Sequence, residues 1–280
     1  MTDPSLGKVP GLVGESGWIG TTFLEKRNSQ ASRTTIGPLI DLGGRRAAFG
    51  EVMNSHHEVF LTGGTGYMGS RLVSVLLRRG HRVRALVRPG SESKVPNGCE
   101  LVRGDALQAE SYMTRIVPAD TFVHLVGVAH PSPSKAAEFR AIDLKSCQEA
   151  VRAAVQARVR HFIYLSVARP APVMREYQAV RAEGERLIQG SGLAATFVRP
   201  WYVVGPGHRW PIALLPFYAA ARLFPATREG AKRLGLVSIT QITQVLAWAV
   251  EHPAEGVRIL EPSQIRQGFA MSSRSEAGSA

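Results

Sequence analysis

The sequence predicts an α/β fold, a doubly wound parallel sheet with a small C-terminal lobe. Three observations lead there. From residue 58 onward, short apolar runs alternate with amphipathic helical stretches, the pattern of strand–helix–strand units. The strand-like runs, such as EVFLT (58–62) and HFIYLS (161–166), do not alternate apolar with polar, which suits burial under helices on both faces. A glycine-rich turn, GGTGYMG (63–69), joins the first strand to the first helix.

The elements follow in order. Strand one spans 58–62, and the helix 67–79 carries Met68, Leu72, Val75 and Leu76 on one face. Further strands are expected at 82–87, 100–103, 121–126, 161–166, 195–199 and 257–260, with helices at 136–157, 177–189 and 241–251. Ser238 stands where it would cap the last of these helices. These elements define a domain over 53–265, with a substrate lobe around 201–236. Residues 1–52 are rich in Gly, Ser and Thr and hold no lasting period, so a poorly ordered extension is expected, with Met53 as a candidate functional start. A flexible tail is expected over 266–280.

Composition narrows the function. The chain has 280 residues, a net charge of +12 and 44% hydrophobic residues. The arginines between Arg71 and Arg266 are spread without aromatic interleaving or a nucleic-acid motif, so no nucleic-acid partner is expected. No run reaches the roughly 18 apolar residues of a membrane span. Residues 1–10 lack the basic start and apolar stretch of a secretory leader, and a cytoplasmic location is expected. Cys99 and Cys147 read as small packing residues. His130, His161 and His208 are not at metal-ligand spacing, His124 reads as a core or rim residue, and no metal site is expected.

The glycine turn carries the strongest functional signal. Gly63, Gly66 and Gly69 form G-x-x-G-x-x-G between a strand and a helix, the setting of a Rossmann dinucleotide site. Gly63 allows the tight turn, Gly66 lets a pyrophosphate approach the backbone, and Gly69 lets the helix pack closely. The helix N-terminus offers free N–H groups and a partial positive charge to phosphates. Thr62, Thr65, Tyr67 and Met68 complete the expected cofactor loop. Arg88 follows strand two, 25 residues after Gly63, where a carboxylate would hold the ribose hydroxyls of NAD. An arginine there pairs with a 2′-phosphate, so NADP is expected in preference to NAD. Asp105 and Ala106 follow strand three, where the Asp would either face the adenine or cap the next turn.

Together with the later Tyr177 and the segment RPWYVVGP (199–206), these motifs resemble the short-chain dehydrogenase/reductase superfamily, in its atypical and extended branches (NmrA-like and epimerase/dehydratase-like). The resemblance covers roughly residues 57–262. It implies that Gly127 and Val128 line the nicotinamide ribose and that Pro200 and Val203 flank the carboxamide. The superfamily's Tyr-x-x-x-Lys is matched by Tyr177-Gln178-Ala179-Val180-Arg181, which implies Tyr177 as acid/base and Arg181 as its cationic helper. The i, i+4 spacing puts both on one helical face. Ser166 is the available hydroxyl after strand five, but Val167 stands where the catalytic hydroxyl usually lies. The segment VSITQ (237–241) lacks the acid that extended members often carry, which weakens a sugar-nucleotide assignment.

Trp201, Tyr202, His208, Trp210 and Phe217 cluster after strand six and suit a pocket for an apolar or planar substrate. The leading expectation is an NAD(P)-dependent oxidoreductase acting on a small carbonyl or quinone-like molecule, with a homodimer as a possible assembly. The alternatives are a dinucleotide-binding sensor or accessory subunit without turnover, and a sugar-nucleotide epimerase or dehydratase.

Overall fold

The computed structural model describes residues 56–268, apart from 210, 212, 214, 215, 217–219 and 222. The expected extension over 1–52, the tail beyond 268, and Trp210 and Phe217 of the aromatic cluster lie outside the described residues.

Seven parallel strands form one sheet in the order β3-β2-β1-β4-β5-β6-β9. They are β1 (Glu58–Thr62), β2 (Arg82–Val87), β3 (Glu100–Arg103), β4 (Thr121–His124), β5 (His161–Leu165), β6 (Ala195–Val198) and β9 (Val257–Leu260). Helix α1 (Gly69–Arg78) follows β1. Helix α2 is a continuous run of Ala136–Glu138, a π-helical turn at Phe139–Leu144, and Lys145–Gln156. Helices α3 (Arg175–Gly190), α4 (Pro225–Arg233), α5 (Ile239–Glu251) and α6 (Pro262–Gln267) complete the set used below.

The side-chain period of two sends alternate residues of each strand into two separate cores. Val59, Leu61, Val123 and Ile163 pack with α1 and α5 on one face. Phe60, Phe122, Phe162 and Tyr164 pack with the alanines of α2 on the other. This double burial is why the strands read as uniformly apolar.

Chain order reverses direction across β1: β2 and β3 build outward on one side, and β4 starts the other. The resulting crevice lies outside the carboxyl ends of β1 and β4, where ligands bind in open α/β sheets. The element expectations hold, with boundary differences of a few residues. Thus β4 stops at His124, because the chain leaves the ladder to pass the glycine turn. Ser238 does cap α5: its Oγ accepts from the Gln241 N–H at 3.1 Å while Gln241 Oε1 accepts from the Ser238 N–H at 2.8 Å.

Three features were not anticipated. Val203–Val204 (β7) and Val237–Ser238 (β8) pair in a separate parallel ribbon. The π-helical turn interrupts α2. Residues 266 and 267, expected to begin a tail, belong to α6, held by buried Ile265 and by Gln241 Nε2 donating to the Arg266 carbonyl at 3.2 Å.

Candidate dinucleotide site

The glycine turn meets the geometric demands of a phosphate cradle. Gly63 sits at φ +81°, a conformation strained for any side chain, and a Cβ there would lie 2.8 Å from the Leu125 carbonyl carbon. A Cβ on Gly69 would lie 2.1 Å from the Gly63 oxygen. Gly66 is exposed at the crest and donates its N–H to the Gly63 carbonyl at 3.0 Å, closing the turn. Helix α1 starts at Gly69 with no side-chain cap; the Ser70 N–H donates to the Gly66 carbonyl at 3.1 Å, which leaves the Gly69 and Arg71 N–H groups of the first turn to face an anion. The residues present therefore fit a dinucleotide pyrophosphate.

The loop's side chains divide by role. Thr62 is fully buried, and its Oγ1 hydrogen-bonds His124 Nδ1 at 2.8 Å. Its hydroxyl points into the core, so a cofactor contact from Thr62 would fall to its backbone. Thr65 is half-buried on the turn. Met68 packs against the first core. Arg71 covers the Tyr67 ring at 4.1 Å from the centroid, and Gly205 approaches Tyr67 so closely that a Cβ there would lie 2.3 Å from the phenol oxygen. Tyr67 therefore ties the cofactor loop to the start of the lobe.

Around the adenosine end, Arg88 is exposed just beyond β2, with no ion-pair or hydrogen-bond partner for its side chain among the described residues. Arg84 is occupied elsewhere, by Glu100 at 2.9 Å and the backbone carbonyls of Arg115 and Val117. Asp105 caps the next turn: its Oδ1 accepts from the Leu107 N–H at 3.0 Å. Ala106 packs against the second core.

At the other end, the structure gathers Gly127, Val128, Tyr177 and Arg181. Val128 and Tyr177 pack on the same small cluster of Phe139, Leu144 and Val180. Tyr177 is half-buried, lies 5.1 Å from the Phe139 ring, and its hydroxyl forms no hydrogen bond among the described residues. Arg181 places its guanidinium 5.2 Å from the centre of the Tyr177 ring. It is 3% exposed, and its guanidinium donates to Asp143 Oδ1 at 2.6 Å, the Leu165 carbonyl at 3.0 Å and the Val126 carbonyl at 3.3 Å. Asp143, presented by the π-helical turn and fully buried, also accepts the Val128 N–H at 2.9 Å. Burial opposes the charge on Arg181, but the Tyr177, Tyr164 and Asp143 oxygens outweigh it and hold the guanidinium charged. Gly127 is required by this packing, because a Cβ there would lie 2.2 Å from Arg181 Nη2.

Ser166 is also committed internally. It is 3% exposed, and its Oγ donates to Glu185 Oε1 at 2.5 Å. Glu185 in turn pairs with Arg169 and, at 2.8 Å, with Arg199 Nε. The hydroxyl expected at the reaction centre thus belongs to a structural network, and Val167 beside it is buried. Pro200 is buried, and its carbonyl accepts the Ala168 N–H at 3.0 Å. Val203 leads into the lobe on β7. Trp201 and Tyr202 meet edge-on at 5.4 Å, while His208 lies instead beside Tyr67 and His130, at 6.2 and 6.0 Å between ring centres.

The buried core histidine His124 was expected in this place. It bonds Thr62 and approaches Ser146 Oγ at 3.4 Å, and burial pushes its pKa down to about 3. Asp143 was missed, because nothing in its local sequence marks a carboxylate as the partner of an arginine 38 residues on. Among the described residues, no group of three or more His, Cys, Asp or Glu could hold a metal ion, and no helix is long and apolar enough to cross a membrane.

The fold and the cradle define a dinucleotide-binding α/β protein. Residues 63–208, more than half of the 280, match the NAD(P)H-binding family. The chain belongs to that family. It is 26% identical over 211 residues to a ceramide reductase of Caulobacter vibrioides, covering 75% of this chain and 65% of the relative. It is 27% identical over 168 residues to a 4-hydroxy-2-methyl-3-oxo-4-farnesyl-3,4-dihydroquinoline-1-oxide ketoreductase of Stigmatella aurantiaca, covering 52% of this chain and 50% of the relative. The matched span is thus less than two thirds of these relatives' length. Among solved structures, Bordetella bronchiseptica WbmH in complex with NAD+ aligns with a TM-score of 0.57 at 21% identity, covering 74% of this chain and 76% of that one.

Proposed function

We propose that this protein is an NADP(H)-dependent reductase acting on an apolar carbonyl or quinone-like substrate. One observation carries the reading: an open glycine cradle ends on an uncapped helix, with an unpartnered arginine at the tip of the adjacent strand. The turn and the start of α1 would hold the pyrophosphate, and Arg88 would pair with a 2′-phosphate. The bound nicotinamide supplies the hydride. Tyr177, whose hydroxyl is free of protein partners among the described residues, donates the proton to the carbonyl oxygen. The two relatives named as a ceramide reductase and a farnesyl-dihydroquinoline ketoreductase support an apolar substrate.

Two variants test this reading. Arg88→Ala should weaken NADPH binding by about tenfold, the value of one charge-assisted contact, and leave NADH unchanged. Calorimetric titration with both nucleotides checks it, and an equal effect on the two would remove the case for NADP. Tyr177→Phe should retain NADPH affinity and lose at least about 100-fold in turnover of whichever aldehyde, ketone or quinone a screen identifies.

A second reading is a dinucleotide-binding sensor or accessory subunit without turnover. The internal commitment of Ser166 and Arg181 favours it. NADPH binding with no hydride transfer across the screen, unaffected by Tyr177→Phe, would decide for it. The sugar-nucleotide alternative has no acid at Ser238, which is spent as a helix cap.

A further inference from the structure

Arg181 occupies the position of a cofactor-holding lysine, yet it faces the protein. Its guanidinium bridges the exits of two neighbouring strands, through the carbonyls of Val126 and Leu165, and closes on Asp143. The second oxygen of Asp143 holds the Val128 N–H. A single buried ion pair therefore takes up the polar backbone groups on both sides of Gly127. The same segment abuts the cofactor turn, since a Cβ on Gly63 would meet Leu125 and the Val126 nitrogen at 3.0 Å.

We infer that Asp143 and Arg181 form a positioning clamp, which sets the path of residues 126–128 as the floor for the nicotinamide half of the dinucleotide. The inference rests on the dinucleotide reading above. Arg181 acts through the backbone and is not itself a ribose ligand. Three features support a built device. The π-helical turn shifts Asp143 into line, and such turns recur at functional sites. The missing Cβ of Gly127 lets the guanidinium pass close to the backbone, where an added Cβ would lie 2.2 Å from Arg181 Nη2. Both charges are almost fully buried and meet at 2.6 Å, a costly placement for an ion pair, although the Arg181 Nε has no hydrogen-bond partner.

The clamp makes predictions that a ribose-binding cation does not. Lysine at 181 keeps the charge, but it has a single ammonium and cannot reproduce a planar fork reaching two carbonyls and a carboxylate. Arg181→Lys and the near-isosteric Asp143→Asn should each weaken NADPH binding by about tenfold, the loss of roughly one charged hydrogen bond. Neither should change the affinity for 2′-phospho-ADP, which keeps the pyrophosphate but lacks both the nicotinamide and its ribose. The double variant Asp143→Leu/Arg181→Met removes both charges without leaving one stranded, so it provides a folded background for the same pair of titrations.

Hydrogen exchange of residues 126–128 reads the clamp with no nucleotide present: protected in the parent, faster in Asp143→Asn. NADPH affinity unchanged in Arg181→Lys would overturn the inference, as would equal losses for both ligands or unaltered exchange at 126–128. If the parent protein binds neither ligand, the dinucleotide reading itself fails, whereas exchange at 126–128 still judges the clamp.

Discussion

Gly69→Ala should cost about 2–3 kcal/mol of stability, as overpacking at a rigid site does, and weaken NADPH binding by at least about 100-fold. The reason is geometric. A Cβ at this position would stand 2.1 Å from the Gly63 oxygen and 2.8 Å from the Gly64 Cα, all backbone atoms with no flexible end to move aside. The turn must open to admit the methyl group. Opening it displaces the carbonyl that accepts the Gly66 N–H and shifts the N-terminus of α1 from the phosphate position. Gly190→Ala is the matched control. It lies at the end of α3 with nothing within 4 Å of an added Cβ and no positive φ, so stability should hold or rise slightly. Chemical denaturation and nucleotide titration of the two variants check the pair. Normal NADPH affinity in Gly69→Ala would contradict the assignment of the cradle.

The second large effect is acid sensitivity. His124 and His161 are buried in neighbouring strands, and burial lowers their pKa values to about 3 and about 4. Burial also lowers that of His81, against the raising influence of Glu251. Each folded-state value lies below the unfolded value near 6.5, so these groups favour folding fully above pH 6.5 and lose that contribution as pH falls. Unfolding then takes up protons, and His124 and His161 alone should remove about 4 kcal/mol between pH 7 and pH 5. Measuring unfolding free energy by urea titration at half-unit pH steps tests this. His124→Gln keeps a polar side chain in the strand and should reduce the slope by about one proton. A pH-independent free energy across this window would refute the account.

Much of the fold was legible because it rests on local rules. Strand and helix periods depend on residues a few places apart, and Ser238 and Gln241 close their capping box within one turn. The glycine turn is equally local: Gly63, Gly66 and Gly69 lie within seven residues, and their lack of Cβ atoms is a property of the sequence itself.

Side-chain destinations were a different matter. Thr62 sits in the cofactor motif, yet strand alternation sends its hydroxyl to His124 on the adjacent strand. Ser166 reads as the available hydroxyl after β5, but Glu185 captures it from α3. Arg181 reads as a cationic helper on the same helical face as Tyr177, and only the assembled fold shows its guanidinium paired with Asp143 of the π-helical turn.

By itself, then, the sequence determined the parallel sheet, the place of the cradle and the dinucleotide class, since periodicity and missing Cβ atoms act over short spans. Tertiary packing decided which polar side chains face the crevice and which are consumed inside. The partners concerned are separated by 19 to 62 residues along the chain. The Thr62 and Ser166 hydroxyls and the Asp143–Arg181 pair bond to the groups that the assembled layers bring within reach, because leaving a buried polar group unpaired is costly.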